Sequence, residues 1–463
     1  MRKAARIPRL MIAAPASGCG KTAVVCGLLE AFKGRGVSCV SYKCGPDYID
    51  PMFHRHVLGV PGYNLDSYFL EESQVRQLFA HKAAKAGLAL IEGVMGYYDG
   101  IAGIDTQASA YDIARITDTP VILLLDGKKS SLSLAAELKG FLEYRTDSRI
   151  GGVILNRTSA MMAERLRPCL EELGVRLFGA VPECAEAGFE SRHLGLKLPG
   201  EQQKLRDRIG RFGKLLEQTL DLDGILAFAG NAPEYRWEEL EGEEKNAFGK
   251  DLLRAPDGKP FRIGVAQDEA FCFYYQENLD FLDLAGCERV PFSPRADHAL
   301  PDHLDALLFG GGYPELYAGR LSENTSMFEA IRRAAEDGVK ILAECGGFLY
   351  LHRTLEGEDG NVYPMVSLID GEGFRTGKLS RFGYLELQGD RGRIRGHEFH
   401  YWDSTAPGAA MKAQKPLSSR NWRCMYADQN LLAGFPHLYY LSAPELILNF
   451  LSGRTDGQKG RNG

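Results

Sequence analysis

The stretch "LMIAAPASGCGKTAVVCGLL", residues 10–29, decides how the first half of this chain is read. An apolar run leads into a loop holding Gly18, Gly20, Lys21 and Thr22, and apolar residues at helical spacing follow. Strand, glycine loop and helix in that order make a phosphate-binding P-loop, because backbone N–H groups and a helix N-terminus then surround a phosphate chain. Gly18 and Gly20 let the backbone approach closely, Lys21 supplies a positive charge to the outer phosphates, and Thr22 offers a hydroxyl to magnesium. Pro15 stands where the pattern G-x-x-x-x-G-K-[ST] has its first glycine, and it removes none of these groups. The competing reading is a glycine turn before a helix, with an incidental lysine.

Around this loop, "RLMIAA", "VSCVSYK", "LALIEGV", "PVILLLD", "GGVILNR" and "RLFGAVP" alternate with helix-like stretches up to about residue 230. Aliphatic runs without polar alternation suit strands covered on both faces, so residues 8–230 are expected to form a doubly wound α/β domain on a parallel sheet. "SYKCGPDYIDP" and "LALIEGVMGYYDG" each put carboxylates just after a strand, where such sheets open their crevice. Asp47 and Glu92 are therefore candidates for holding magnesium, with Asp50 and Asp99 beside them. Acids in these positions also cap turns and helices, and one alone would decide nothing.

Residues 231–260 are charged and rich in turn formers, and they read as a linker. From 261 to 453 a second α/β domain is expected, with "VKILAECGGFLYL" at its centre. Cys345 sits there between an apolar strand and a helix-like segment, followed by Gly346 and Gly347. A sharp strand-to-helix turn exposes a nucleophile, and a helix N-terminus lowers a thiol pKa. His437 in "FPHLYYLS" supplies a base, and Gly310, Gly311 and Gly312 in "LLFGGGYPELYA" supply N–H groups for an oxyanion. Together they point to a thiol amidase. "GHEFHYW", with His397, Glu398 and His400, has the spacing H-E-x-H and no evident third ligand, so it reads as a substrate-binding or interface loop and not as a zinc site.

With 463 residues the chain exceeds one ordinary core, and roughly 100–200 residues per domain suggests two or three. Lys and Arg number 55 against 61 Asp and Glu, which gives no basic surface for nucleic acid. The apolar run near the start is only about five residues, short of the roughly 7–15 of a signal peptide, and none approaches the roughly 18 of a membrane span. A cytoplasmic protein is expected. The 10 cysteines form no C-x-x-C pair and no framework spacing, which argues against structural zinc and a disulfide scaffold.

The segments "APASGCGKT", "YKCGPDYIDP", "GYNLDSYF", "IEGVMGYYDG", "LFGGGYPELYA", "AECGGFLYL" and "GHEFHYW", in this order, resemble the cobyrinate a,c-diamide synthase family of glutamine-dependent amidotransferases, whose first domain is similar to dethiobiotin synthetase. The resemblance spans residues 8 to about 453. It implies a class I glutamine amidotransferase domain in which Cys345 forms a thioester with glutamine, His437 moves the protons, and ammonia is released into a shielded passage. It further implies that ATP, with Mg2+, phosphorylates an acetate side chain of a tetrapyrrole and that ammonia displaces the phosphate, amidating the a and c positions in turn. By the family pattern Asp47, Tyr48, Ile49, Glu92 and Asp99 shape the reaction centre, with Thr22, Asp47 and Glu92 near the metal. The partners implied are cobyrinate or a related tetrapyrrole, ATP and L-glutamine, with no nucleic acid and no membrane; a homodimer is allowed. Hydrogenobyrinate and nickel sirohydrochlorin would use the same chemistry, and a P-loop switch with an inactive glutaminase domain is the rival of another class. Members of the wider class with a full triad carry an acid two residues after the histidine, where this chain has Tyr439.

Overall fold

The computed structural model describes residues 2–187, 199–239, 253–255 and 258–453. The chain divides into two compact units, Met1–Leu240 and Glu241–Gly463.

In the first unit a short strand β1 (Arg2–Ala5) precedes the main sheet of β2 (Arg9–Ala13), β3 (Cys39–Cys44), β4 (Gly62–Leu65), β5 (Leu88–Glu92), β6 (Val121–Asp126), β7 (Ile150–Asn156) and β8 (Arg176–Val181). These seven lie in the order β4-β3-β5-β2-β6-β7-β8, and every neighbouring pair is parallel. Every residue of β2 and β5 is buried, as covering on both faces requires. Leu10 and Ile12 pack in one cluster with Val25, Leu28 and Phe32 of the helix Lys21–Gly34 and with Phe212 and Leu216 of the helix Pro199–Thr219. Each such buried aliphatic or aromatic side chain stabilises by roughly 1.5–3 kcal/mol. Six of the strands are the six apolar runs of the sequence, whereas β4 is too short and too rich in Gly and Asn to stand out.

The expected linker at 231–260 is only partly one. β9 (Tyr235–Glu238) pairs antiparallel with β1, and Tyr235 is fully buried against Phe79. Residues 240–252 lie outside the described residues. Arg9, at the start of β2, has no solvent exposure and donates to four carbonyls, those of Ile7, Thr117, Asp118 and Pro233. It thereby ties the strand before the phosphate loop to the last segment of the unit.

The second unit begins with β10 (Phe261–Ala266), β11 (Phe271–Phe273), β12 (Cys287–Phe292), β13 (Ala306–Phe309), β14 (Gly311–Gly312) and β15 (Lys340–Glu344). It continues with β16 (His352–Glu356), β17 (Val362–Pro364), β18 (Ile369–Arg375), β19 (Arg381–Gly389), β20 (Gly392–His400), β21 (Trp402–Ser404), β22 (Met411–Gln414), β23 (Asn421–Cys424), β24 (Tyr426–Ala427), β25 (Leu431–Gly434) and β26 (His437–Leu438). The main sheet runs β12-β10-β13-β15-β25-β24, parallel except for β24 at its edge. Two further sheets, β17-β16-β18-β21 and β23-β22-β19-β20-β26, hold most of residues 352–438. "GHEFHYW" is therefore not a loop: it lies largely in β20, hydrogen-bonded between β19 and β26. His397 and His400, three apart on a strand, belong to opposite faces, which removes the shared-face geometry a helix would give them.

Among the described residues no helix is long and apolar enough to cross a membrane.

Candidate active site

The first unit gathers its polar side chains where β2, β3 and β5 end. Gly20, with φ at 92°, occupies the left-handed region just before the helix Lys21–Gly34. A Cβ there would stand 2.4 Å from Asn156 Nδ2, which donates to Cys19 O at 2.7 Å. Only glycine meets both conditions, and Asn156 at the end of β7 holds the loop from below. Gly18 is also left-handed, with φ at 81°. Lys21 Nζ donates to Ala16 O at 2.9 Å and to Met95 O at 2.5 Å, so it bridges the loop to the turn after β5. Burial, and then the charge of Lys43, lower its pKa. Asp99, exposed, belongs to that same turn and accepts from Gly96 N at 2.9 Å.

Thr22, next along the helix, donates to Glu92 Oε1 at 2.5 Å and lies 3.4 Å from Asp50 Oδ2. Lys43, at the penultimate position of β3, donates to the same two carboxylates, at 2.5 Å to Glu92 and 2.6 Å to Asp50. All three charged groups are buried. Burial by itself would lower the Lys43 pKa, but Asp50 and Glu92 hold it well above the usual lysine value. Burial pushes Glu92 up to about 7, against the pull of Lys43. Asp50 stays below the ordinary carboxylate range because Lys43 outweighs its burial. Lys43 gave no signal in the sequence beyond being a cation near the end of an apolar strand, seven residues before Asp50.

Asp47 lies at the edge of this network, with Oδ2 3.9 Å from Lys43 Nζ. Its Oδ1 accepts from the N–H groups of Ile49 and Asp50 at 2.8 and 3.2 Å, which caps the short helix Ile49–Phe53. Tyr48, buried, precedes that helix and Ile49 begins it. Among the described residues Glu92 Oε2 is buried without a hydrogen-bond partner. The Thr22 hydroxyl and the Asp47, Asp50 and Glu92 carboxylates are oxygen donors, the type a hard divalent ion such as Mg2+ takes. Among the described residues, however, no three acidic, His or Cys side chains are grouped to hold a metal as they stand, and Lys43 occupies one oxygen each of Glu92 and Asp50.

In the second unit Cys345 stands between β15 and the helix Gly346–Tyr350, at φ 49° and ψ −105°. That backbone is sparsely populated for a non-glycine residue and costs about 1–3 kcal/mol, a strain typical of nucleophile turns. Cys345 N donates to Gly434 O of β25 at 2.8 Å, and Gly347 N to Gly310 O at 3.0 Å, which fixes the turn beside the three glycines. Gly311 and Gly312 form β14 and pair with Phe273 and Phe271 of β11. A Cβ on Gly311 would lie 2.2 Å from His437 Cε1, so the missing side chain is what lets the imidazole lie against this strand. Cysteine, glycines and histidine thus share one locality.

The thiol does not behave as its position before a helix suggests. Burial, then the Glu315 carboxylate, push the Cys345 pKa up, and only the N–H of Gly346 among the leading causes pulls it down. A helix of five residues has too short a dipole to reverse this. The thiol is accordingly held in its protonated form. Burial, helped by His400, lowers His437 to about 3, which keeps the imidazole neutral. Glu398 on β20 is fully buried, 4.0 Å from Arg381, and its charge also acts on the thiol. Tyr439 packs edge-on to Tyr275 at 5.3 Å.

A nucleotide-loop unit and a cysteine-histidine unit in one chain define a class, the glutamine amidotransferases coupled to a P-loop domain. The model of the CobB/CobQ-like glutamine amidotransferase domain matches residues 262–445, and that of the CobQ/CobB/MinD/ParA nucleotide binding domain matches residues 10–194. The chain is 37% identical over 465 residues to the cobyrinate a,c-diamide synthase of Salmonella typhimurium, covering 97% of this chain and 98% of that one. It is 35% identical over 458 residues to the cobyrinate a,c-diamide synthase of Caldanaerobacter subterraneus, covering 95% and 97%. The protein of that name in Dehalococcoides mccartyi is 36% identical over 465 residues, covering 96% and 97%. The chain belongs to the cobyrinate a,c-diamide synthase family.

Proposed function

We propose that this chain amidates the a- and c-acetate carboxylates of cobyrinate in turn, in cobalamin biosynthesis, using ATP to activate each carboxylate and glutamine as the source of ammonia. The observation that carries the reading is that one chain holds both the Thr22–Glu92–Lys43–Asp50 network behind a P-loop and a strained Cys345 among glycines and His437.

Cys345 Sγ attacks the amide carbon of glutamine as His437 takes the thiol proton. His437 returns that proton to the nitrogen, the C–N bond breaks, and ammonia leaves a thioester behind. Water then adds to the thioester, His437 taking its proton; the C–S bond breaks, His437 gives that proton to Sγ, and glutamate departs. The N–H groups of Gly311 and Gly312 stabilise the negative oxygen formed in each addition. At the P-loop an acetate oxygen of the tetrapyrrole attacks the γ-phosphorus of ATP, and the bond to the β–γ bridging oxygen breaks to release ADP. Ammonia adds to the carbon of the acyl phosphate, loses a proton, and expels inorganic phosphate. Lys21, with the N–H groups of Gly18 and Gly20, steadies the phosphates as charge moves between them. Asp47, Tyr48, Ile49 and Asp99 border the acetate. Thr22, Asp47 and Glu92 would hold Mg2+, which supplies charge neutralisation on the transferring phosphoryl group. A carboxylate is a poor electrophile, which is why activation precedes amination.

The test is an ATP- and glutamine-dependent assay on cobyrinate, hydrogenobyrinate and nickel sirohydrochlorin, with products resolved by mass. Conversion of cobyrinate to its diamide is the expected result, and turnover of another of the three alone would move the substrate assignment to that one. Glu92→Gln is expected to lower amidation by at least about 10²-fold, the scale of losing one charge-stabilising group in a reaction centre, while glutamine hydrolysis persists. Full amidation by that variant would remove Glu92 from the centre. Gly20→Ala forces a side chain into a strained position worth about 1–3 kcal/mol, so ATP affinity by calorimetry is expected to fall roughly tenfold or more. Unchanged affinity would mean that the loop does not approach the phosphates through Gly20.

A further inference from the structure

The imidazole of His437 meets a carboxylate that chain order does not announce. Two residues after the histidine stands Tyr439, a phenol packed against Tyr275. The acid comes instead from β15: Glu344 Oε2 lies 3.8 Å from His437 Nδ1. The other oxygen, Oε1, accepts from Leu438 N at 3.2 Å, and the Tyr440 hydroxyl also hydrogen-bonds this carboxylate. Leu438 of β26 and Tyr440 just beyond it, both following the histidine, therefore anchor the glutamate. Glu344 and His437 are 4% and 2% exposed, so water does not screen them from one another.

We propose that Glu344 is the positioning residue of the thiol site, accepting a hydrogen bond from His437 Nδ1–H so that Nε2 is left as the base and the imidazolium formed during attack has a counter-charge. A carboxylate in this relation fixes the tautomer and orientation of an imidazole without itself reacting. The separation exceeds a hydrogen bond by under about 1 Å, and catalytic hydrogen bonds are often long before substrate binds and tighten on binding. Burial raises Glu344 to about 8, against the pull of the Leu438 and Tyr440 hydrogen bonds. A proton arriving on His437 favours the ionised carboxylate beside it, so the two become a neutral pair instead of one isolated buried charge. Because Glu344 directly precedes Cys345, one strand end delivers both the nucleophile and the group that orients its base.

The inference rests on the reading of Cys345 and His437 as the glutamine-hydrolysing pair. The test uses the full chain and measures glutamate release from glutamine beside ammonium-driven amidation. Glu344→Gln keeps the shape and loses the charge. It is expected to lower the glutamine kcat by about 10²–10⁴-fold, the range for losing an orienting carboxylate. KM stays within about threefold, because Glu344 does not touch substrate, and ammonium-driven amidation persists. Glu344→Asp is expected to recover part of the kcat. In a His437→Ala background, Glu344→Gln is expected to change the residual rate by less than about threefold, since a group acting through the histidine has nothing left to act on. Should Glu344→Gln fold poorly, Tyr440→Phe, which removes one anchor of the carboxylate and keeps its charge, is expected to lower kcat several-fold at constant KM. Parent-like kcat in both Glu344→Gln and Tyr440→Phe, or a loss that multiplies fully with His437→Ala, overturns the inference. Persistence of glutamine use in Cys345→Ala would instead overturn the reading beneath it.

Discussion

Cys345→Ala is expected to abolish glutamine-driven amidation, by at least about 10³-fold, while amidation driven by high ammonium chloride continues near the parent rate. The size follows from what is removed: without Sγ no thioester forms, and uncatalysed attack of water on an amide is slower by many orders of magnitude. The asymmetry follows from the two-unit organisation, because ammonia supplied from solution bypasses the thiol. Alanine fits the site as well as cysteine does, since both share the strained backbone at φ 49° and the lost atom is one sulfur. The check is a pair of assays on one preparation, one with glutamine and one with ammonium. Glutamine-driven product within tenfold of the parent would sink the thiol mechanism, and loss of both activities would show that the substitution acts beyond the thiol.

The second large effect is expected in the other unit, from Lys43→Met. The lysine holds Glu92 at 2.5 Å and Asp50 at 2.6 Å, all three buried. Methionine fills similar volume but leaves two carboxylates facing each other without a cation. Removing one partner of a buried ion cluster typically destabilises by about 3–5 kcal/mol, so the first unit should unfold at markedly lower denaturant and amidation should vanish, while glutamate release by the second unit survives. The loss should also depend on pH in a stated direction. Glu92 is already raised to about 7, and without Lys43 it rises further. A native carboxyl whose pKa lies above its unfolded value binds more protons than the unfolded state, so stability falls as pH climbs from the unfolded value toward the folded one. The variant should therefore be least impaired near pH 5.5 and most impaired near pH 8. A parent-like denaturation midpoint at pH 8 would mean that the three side chains are not coupled as their distances imply.

What could be read from residues alone depended on the kind of signal each element sends. β2, β3, β5, β6, β7 and β8 are apolar runs because both faces of a parallel sheet are covered. β4, with four residues including Gly62 and Asn64, and β9, inside a charged stretch, are held by neighbours more than by their own composition. The sheets over residues 352–438 escaped for a related reason. Their strands, up to nine residues long, carry Arg, Glu, His and Gly among the apolar residues, so burial of one face leaves no clear alternation of apolar and polar types. Of the site, Gly20, Lys21 and Thr22 were visible because a phosphate loop is contiguous. Cys345 and the glycines of β14 were visible because sharp turns demand small residues. Lys43 and the relation of Glu344 to His437 were not, because each is made by strands distant in sequence meeting at a sheet end. The expected acidity of Cys345 failed because burial is a property of the whole unit and the helix behind the thiol is only five residues long.

The four carbonyls gripped by Arg9 bear on where this chain can be cut. Pro233 is held by the same guanidinium that sits at the root of β2, and β9 closes over β1 a few residues later. Ending a fragment at residue 230, where composition first turns charged, would strip an interior cation of one acceptor and uncover Tyr235's place beside it, at the strand that leads into the phosphate loop. A free-standing nucleotide fragment accordingly needs its boundary beyond Glu238, inside the stretch that reads as a linker.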